Sequence, residues 1–167
     1  AGKAAKGYKS ANFHGIGTGY PAAQDILKHV VDKGKSQVKG RSRVGENLYM
    51  RGVFNSVLIA EAIRTAQGKF GNRVINGEEM RWGMENLHLT SARMAEIGLP
   101  GFTNPIKVSC DDHANNGPVY IQQWNGTSWE RVSGWINSMD RVRPMLEKAA
   151  ASYKAKNSVP DRTIPCS

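Results

Sequence analysis

The stretch Gly52-Val53-Phe54-Asn55-Ser56-Val57-Leu58-Ile59-Ala60-Glu61-Ala62-Ile63-Arg64-Thr65-Ala66, within Asn47 to Gln67, carries the strongest helical signal in the chain. Leu48, Val53, Phe54, Val57, Leu58, Ala60, Ile63 and Ala66 leave few positions for a solvated stripe. A helix this apolar is expected to lie buried against a sheet, as in α/β proteins. Its polar exceptions are Tyr49, Arg51 and Asn55, near the N-terminal end. They either face solvent and cap neighbouring backbone or point into a cleft, where a helix N-terminal region favours anions.

Upstream, Tyr8 to Phe13 reads as a short strand, followed by Gly15-Ile16-Gly17-Thr18-Gly19. That spacing is GxGxG and not the dinucleotide GxGxxG, so a connector is the expectation. Pro21 suits the first turn of a helix whose face is Ile26, Leu27, Val30 and Val31, ending at Gly34. Downstream, Asn76 with Glu79 three residues on forms a capping-box pattern. Met80, Met84 and Leu87 mark the expected buried face of that helix. Thr90 caps a further short helix that stops at Gly98. Beyond Gly101 the period changes: Ile106 to Cys110 alternates like a strand. Val119 to Trp124 and Trp129 to Val132 flank Asn125-Gly126, the preferred centre of a tight hairpin. A last helix is predicted from Asp140 to Lys156, with Pro144 near its first turn.

The chain has 167 residues, about one domain by length, with 40% hydrophobic and 22% charged residues. No apolar run reaches the roughly 20 residues that span a bilayer. Ala1 to Lys6 is basic but lacks the apolar stretch of a signal peptide, so a processed form or a start in mid-protein is expected. The formal charge is +9, from 23 Lys and Arg against 14 Asp and Glu. Lys33, Lys35, Lys39, Arg41 and Arg43 form a dense basic run laced with Gly and Ser. No aromatic residues interleave with it as a stacking platform requires. A solvated loop is the plainer reading, and a nucleic-acid-binding module acting through Lys33 to Arg43 is the alternative. Two cysteines, Cys110 and Cys166, lack CxxC spacing. A disulfide between them is expected to tie down the tail and to favour an oxidising compartment.

No catalytic constellation is apparent, and the chain is expected not to be an enzyme. His14, His29, His88 and His113 have no helical i, i+4 partner of the metal-binding kind, so neither a metal site nor a cofactor is expected. The enzymatic alternative is a small α/β hydrolase or amidase using His113 with Asp111 or Asp112.

The run Gly52 to Ala66 resembles the signature helix of branched-chain amino-acid ABC transporter substrate-binding proteins. The resemblance continues through Asn76-Gly77-Glu78-Glu79-Met80-Arg81-Trp82-Gly83-Met84-Glu85-Asn86-Leu87, Gly101 to Cys110 and Tyr120-Ile121-Gln122-Gln123-Trp124. It implies an α/β type I periplasmic binding protein fold of two Rossmann-like lobes, of which this chain supplies the C-terminal half. On that scheme residues 1–14 end lobe two and make an inter-lobe crossing, and 15–116 form the C-terminal part of lobe one. Residues 117–167 are the return crossing, hairpin and final helix of lobe two. Gly15-Ile16-Gly17 and Asn115-Asn116-Gly117 are the permissive hinge segments. Val53 and Phe54 stand where the family commonly has Tyr-Asp, so a leucine-like ligand is not implied. The resemblance implies periplasmic capture of an amino acid or similar carboxylate for an ABC permease, with the N-terminal half as partner and no nucleic acid. Phe13, His14, Tyr49, Arg51 and Asn55 are the candidate ligand-binding residues.

Overall fold

The computed structural model describes residues 2–114, 117–137, 139–161, 163 and 166. The fold is mixed α/β, and the chain divides into two compact units. One is His14–His113; the other joins Ala1–Phe13 to Ala114–Ser167.

The unit His14–His113 begins with α1 (Pro21–Ile26), which has proline in its first turn as predicted. It runs on as one π turn over Leu27–Val31. Helix α2 (Asn47–Phe70) is three residues longer than its sequence pattern indicated. Helix α3 (Gly77–Glu85) opens on the full capping box: Asn76 Oδ1 accepts from Glu79 N, and Asn76 N donates to Glu79 Oε2, both at 2.9 Å. Arg73 forks onto the same carboxylate, and this hydrogen bonding holds Glu79 below the usual carboxylate range. Thr90 caps α4 (Ser91–Glu96) by accepting from Arg93 N. Two short strands, β2 (His88–Leu89) and β3 (Ile106–Lys107), pair antiparallel, so the strand expected over 106–110 keeps only its first two residues.

The core of this unit is Ala23, Leu27, Val44, Met50, Phe54, Ala62, Ala66, Leu87, Leu89, Met94, Leu99, Phe102 and Ile106, all buried. Helix α2 crosses α3 at small residues. A β-carbon on Gly83 would stand 2.2 Å from the Ala62 carbonyl oxygen, so only glycine allows this approach. That crossing turns α3 so that Gly83 and Glu85 are buried while Met84 is 37% exposed. The expected Met80–Met84–Leu87 face is therefore corrected at Met84. Arg93 on α4 forks onto Glu61 of α2 at 3.0 and 2.7 Å.

Helix α2 has no sheet against it among the described residues, where one was expected. Its buried residues are Met50, Phe54, Ala62 and Ala66, on the side that meets α3 and the loops. Among the described residues no sheet covers the rest, and Leu48 and Ile59 are 78% and 51% exposed.

The other unit is built on an antiparallel sheet of order β1-β4-β5: β1 (Lys9–Asn12), β4 (Tyr120–Trp124) and β5 (Trp129–Arg131). Trp124 pairs with Trp129 across the hairpin, their rings 5.6 Å apart, and Tyr8 packs edge-on to Trp129. Arg131 lies over the rings of Tyr120 and Trp135. The hairpin forms where Asn125-Gly126 placed it, by a different turn chemistry. Its loop is Asn125 to Ser128, and Asn125 Oδ1 accepts from the backbone N–H of Thr127 and of Ser128. Asn125 acts by side-chain mimicry of a turn and not by a positive φ.

Helix α5 (Met139–Asn157) closes the unit without burying a single residue. Asn137 Oδ1 caps Met139 N, and Pro144 falls in the second turn, beyond the N-terminal positions where a missing N–H costs nothing. Cys110 and Cys166 are both disulfide-bonded. Asn115 and Asn116, two of the three residues of the expected second hinge, lie outside the described residues.

Candidate functional site

Phe102, fully buried, is the hub around which His14 and Arg51 are organised. The turn from Leu99 presents its ring, and the Phe102 carbonyl accepts from Gly15 N at 2.6 Å. That bond draws the segment after β1 tight against Phe102. The His14 ring stacks on it at 5.5 Å with an interplanar angle of 18°. Tyr20 meets it edge-on at 5.2 Å, and Phe54 of α2 lies 5.9 Å away. A β-carbon on Gly15 would fall 1.9 Å from the Tyr20 hydroxyl, so a larger residue here would have to displace that ring.

The hydrogen bonds fix the state of His14. Its Nδ1 lies 2.9 Å from the Gly15 carbonyl, which only accepts, so Nδ1 carries the proton and donates. Nε2 is then a lone-pair acceptor, and Arg51 Nε donates to it at 2.8 Å. A second proton on the ring would confront the guanidinium N–H. Burial first, and the Arg51 charge in addition, hold the imidazole below its ordinary pKa against the raising effect of the Gly15 bond. A neutral histidine therefore holds Arg51 by its Nε, and a guanidinium is the group best suited to fork onto a carboxylate.

The five candidate residues divide accordingly. His14 and Arg51 are brought together. His14 has no exposed surface in this chain, and its Nε2 accepts from Arg51 Nε. Tyr49, half-buried, precedes Arg51 on α2, and Asn55 stands exposed one turn beyond it. Phe13 belongs to the other unit, where its N–H donates to Asn12 Oδ1. Sequence reasoning missed Phe102 and Tyr20. The one available signal was Gly15, whose missing side chain makes room for both rings.

Tyr49 also lines a depression of about 820 Å³ at the start of α2, together with Gln37, Lys39, Arg43, Glu46 and Asn47. No side chain caps this helix end, so the local field there favours anions. Two of the basic-run arginines are already engaged, Arg41 with Asp32 and Arg43 with Glu46. His113 lies 3.5 Å from Glu85, a buried carboxylate at the end of α3 that the sequence did not single out as its partner.

No family model matches the chain, and no curated protein does. Two solved structures do. A structure described as an ABC transporter permease from the Pseudomonas fluorescens group superposes with a TM-score of 0.88 at 37% identity, over 99% of this chain. A branched-chain amino acid ABC transporter from Thermus thermophilus, with bound valine, superposes with a TM-score of 0.62 at 16% identity over 86% of it, a likeness of fold. The chain spans 40% and 36% of the lengths of those two chains. No helix among the described residues is long and apolar enough to cross a membrane.

Proposed function

We propose that this chain is part of the solute-binding component of an ABC import system, with a type I periplasmic binding protein fold. It would capture an amino acid or similar small carboxylate in the periplasm and deliver it to a membrane permease without chemical change. The observation that carries this reading is the 37% identity, maintained over 99% of the chain, to a structure described as an ABC transporter permease. A likeness of fold to a valine-bound transporter protein supports an amino acid as the ligand class. The His14–Arg51 pair supplies a chemical reason for a carboxylate. A solute-binding role is preferred to a permease role because no described helix suits a bilayer.

Calorimetric titration of the natural polypeptide with a panel of amino acids and short carboxylates tests this. Binding of at least one, weakened about 10- to 100-fold by Arg51→Ala, is the expected result for a charge-assisted hydrogen bond. An unchanged affinity in Arg51→Ala removes that residue from the site, and silence across the panel removes the carboxylate reading.

A further inference from the structure

Arg131 on β5, the edge strand of its sheet, is exposed to solvent yet held from three directions. Its guanidinium lies 4.6 Å from the centre of the Tyr120 ring and 4.7 Å from that of Trp135. Its Nε donates to the Ser133 carbonyl at 2.8 Å. These supports are themselves tied to the sheet. Ser133 Oγ accepts from Ile121 N, and Ile136, next to Trp135, exchanges two backbone hydrogen bonds with Val119. The two rings also meet each other edge-on at 5.2 Å. Among the described residues, the terminal nitrogens of Arg131 have no hydrogen-bond or ion-pair partner, and neither has Trp135 Nε1. A mobile surface arginine must be ordered by whatever it binds. Here the fold has already ordered it, and the fork of donors stays available.

We infer that Arg131, clamped by Tyr120 and Trp135, is a docking point for a carboxylate side chain of an acidic protein partner. A carboxylate matches the planar pair of terminal donors. A protein is the fitting bearer of it because Trp, Tyr and Arg are the residue types that dominate binding energy at protein interfaces. Charge agrees. The unit that joins Ala1–Phe13 to Ala114–Ser167 has ten Lys and Arg against four Asp and Glu, while His14–His113 has thirteen against ten. The basic excess of the chain therefore lies mostly on the unit that carries Arg131, and it attracts an acidic surface. A second copy of the chain, with the same net charge of +9, would be repelled. The identity of the partner rests on the proposed function, which makes it the membrane permease.

Binding of the natural polypeptide to its permease in lipid nanodiscs tests this, with solute affinity measured in parallel by calorimetry. Arg131→Ala should weaken docking about 10- to 100-fold, as loss of an interface anchor does. Arg131→Lys should stay at least about tenfold weaker than the parent, because it keeps the charge but loses the fork and the stacking. Solute affinity should change less than about twofold in both. Docking unaffected by Arg131→Ala, or fully recovered by Arg131→Lys, overturns the inference while leaving the proposed function standing. Absence of docking by the parent protein also overturns it. A parent that docks but binds no solute sinks the proposed function instead. Arg131-dependent binding to phosphatidylglycerol vesicles without permease overturns the protein partner in favour of a lipid phosphate. Arg131→Ala should lower Tm by less than about 4 °C, the range for an exposed cation–π contact. A larger fall would show that the rest of the polypeptide already covers Arg131, and would overturn the inference.

Discussion

Two long helices, α2 with 24 residues and α5 with 19, are stabilised in different ways. Helix α2 buries Met50, Phe54, Ala62 and Ala66, crosses α3 at Gly83 and ties to α4 through Glu61 and Arg93. Helix α5 carries Val142, Met145, Leu146 and Tyr153, yet leaves them 40%, 70%, 53% and 65% exposed. Its fixings are local: the Asn137 cap, the Asn157 side chain on the Tyr153 carbonyl, and the pairing of Lys154 with Asp161. An isolated helix of this length is marginal in water, and most helical stability in proteins comes from packing an apolar face. The difference teaches that an apolar stripe fixes what a helix can bury, while the polypeptide opposite fixes what it does bury.

Substitutions on the two helices' surroundings separate these cases. The largest effect is expected for Phe102→Ala, which empties the hub under α2 and should cost about 3–5 kcal/mol in urea denaturation. A loss below about 1 kcal/mol would mean that the aromatic cluster is not the organising core. Reduction of the disulfide comes next, at about 2–4 kcal/mol, the usual range for one such bond. Its effect is read from denaturation midpoints with and without reductant.

A smaller effect comes from pH. Native His14 resists protonation more than the unfolded chain does, so the stability it contributes is present above the unfolded histidine pKa of about 6.5. That stability is lost as pH falls from there toward the lowered native value. Urea midpoints at pH 7.5 and pH 5.0 should differ less in His14→Gln than in the parent protein. An equal difference would relocate the titration elsewhere. The smallest effect belongs to α5: Met145→Ala should stay within about 0.5 kcal/mol in the 167-residue chain. A larger loss would show that α5 is packed after all.

Elements governed by local chemistry were legible in the sequence. The Asn76–Glu79 box, the Thr90 cap, Pro21 at the start of α1 and the Asn125-Gly126 hairpin all depend on residues within a few positions of one another. The apolar pattern located α2 within three residues but assigned it a sheet that the described residues do not contain. Periodicity reports a preference for burial and not the identity of the neighbour. Met84 was misplaced for the same reason, because the Gly83 crossing against Ala62 sets the rotation of α3. At the site, Arg51 stood out as a cation on an apolar helix. Its link to His14, 37 residues away, and the Phe102 hub beneath them depend on tertiary closure through Gly15. No spacing rule encodes that closure.

The contact between Gly17 and Gly45 has a consequence for sequence variation. Gly17 N donates to the Gly45 carbonyl at 2.8 Å, and the two residues have φ of 93° and 98°. Their tolerance is nevertheless unequal. A β-carbon on Gly45 would sit 2.8 Å from the Gly17 carbonyl carbon, whereas one on Gly17 would meet nothing within 4 Å. In a library of variants, position 45 should accept no other residue, excluded by both space and backbone. Position 17, excluded by backbone alone, should admit asparagine at low frequency.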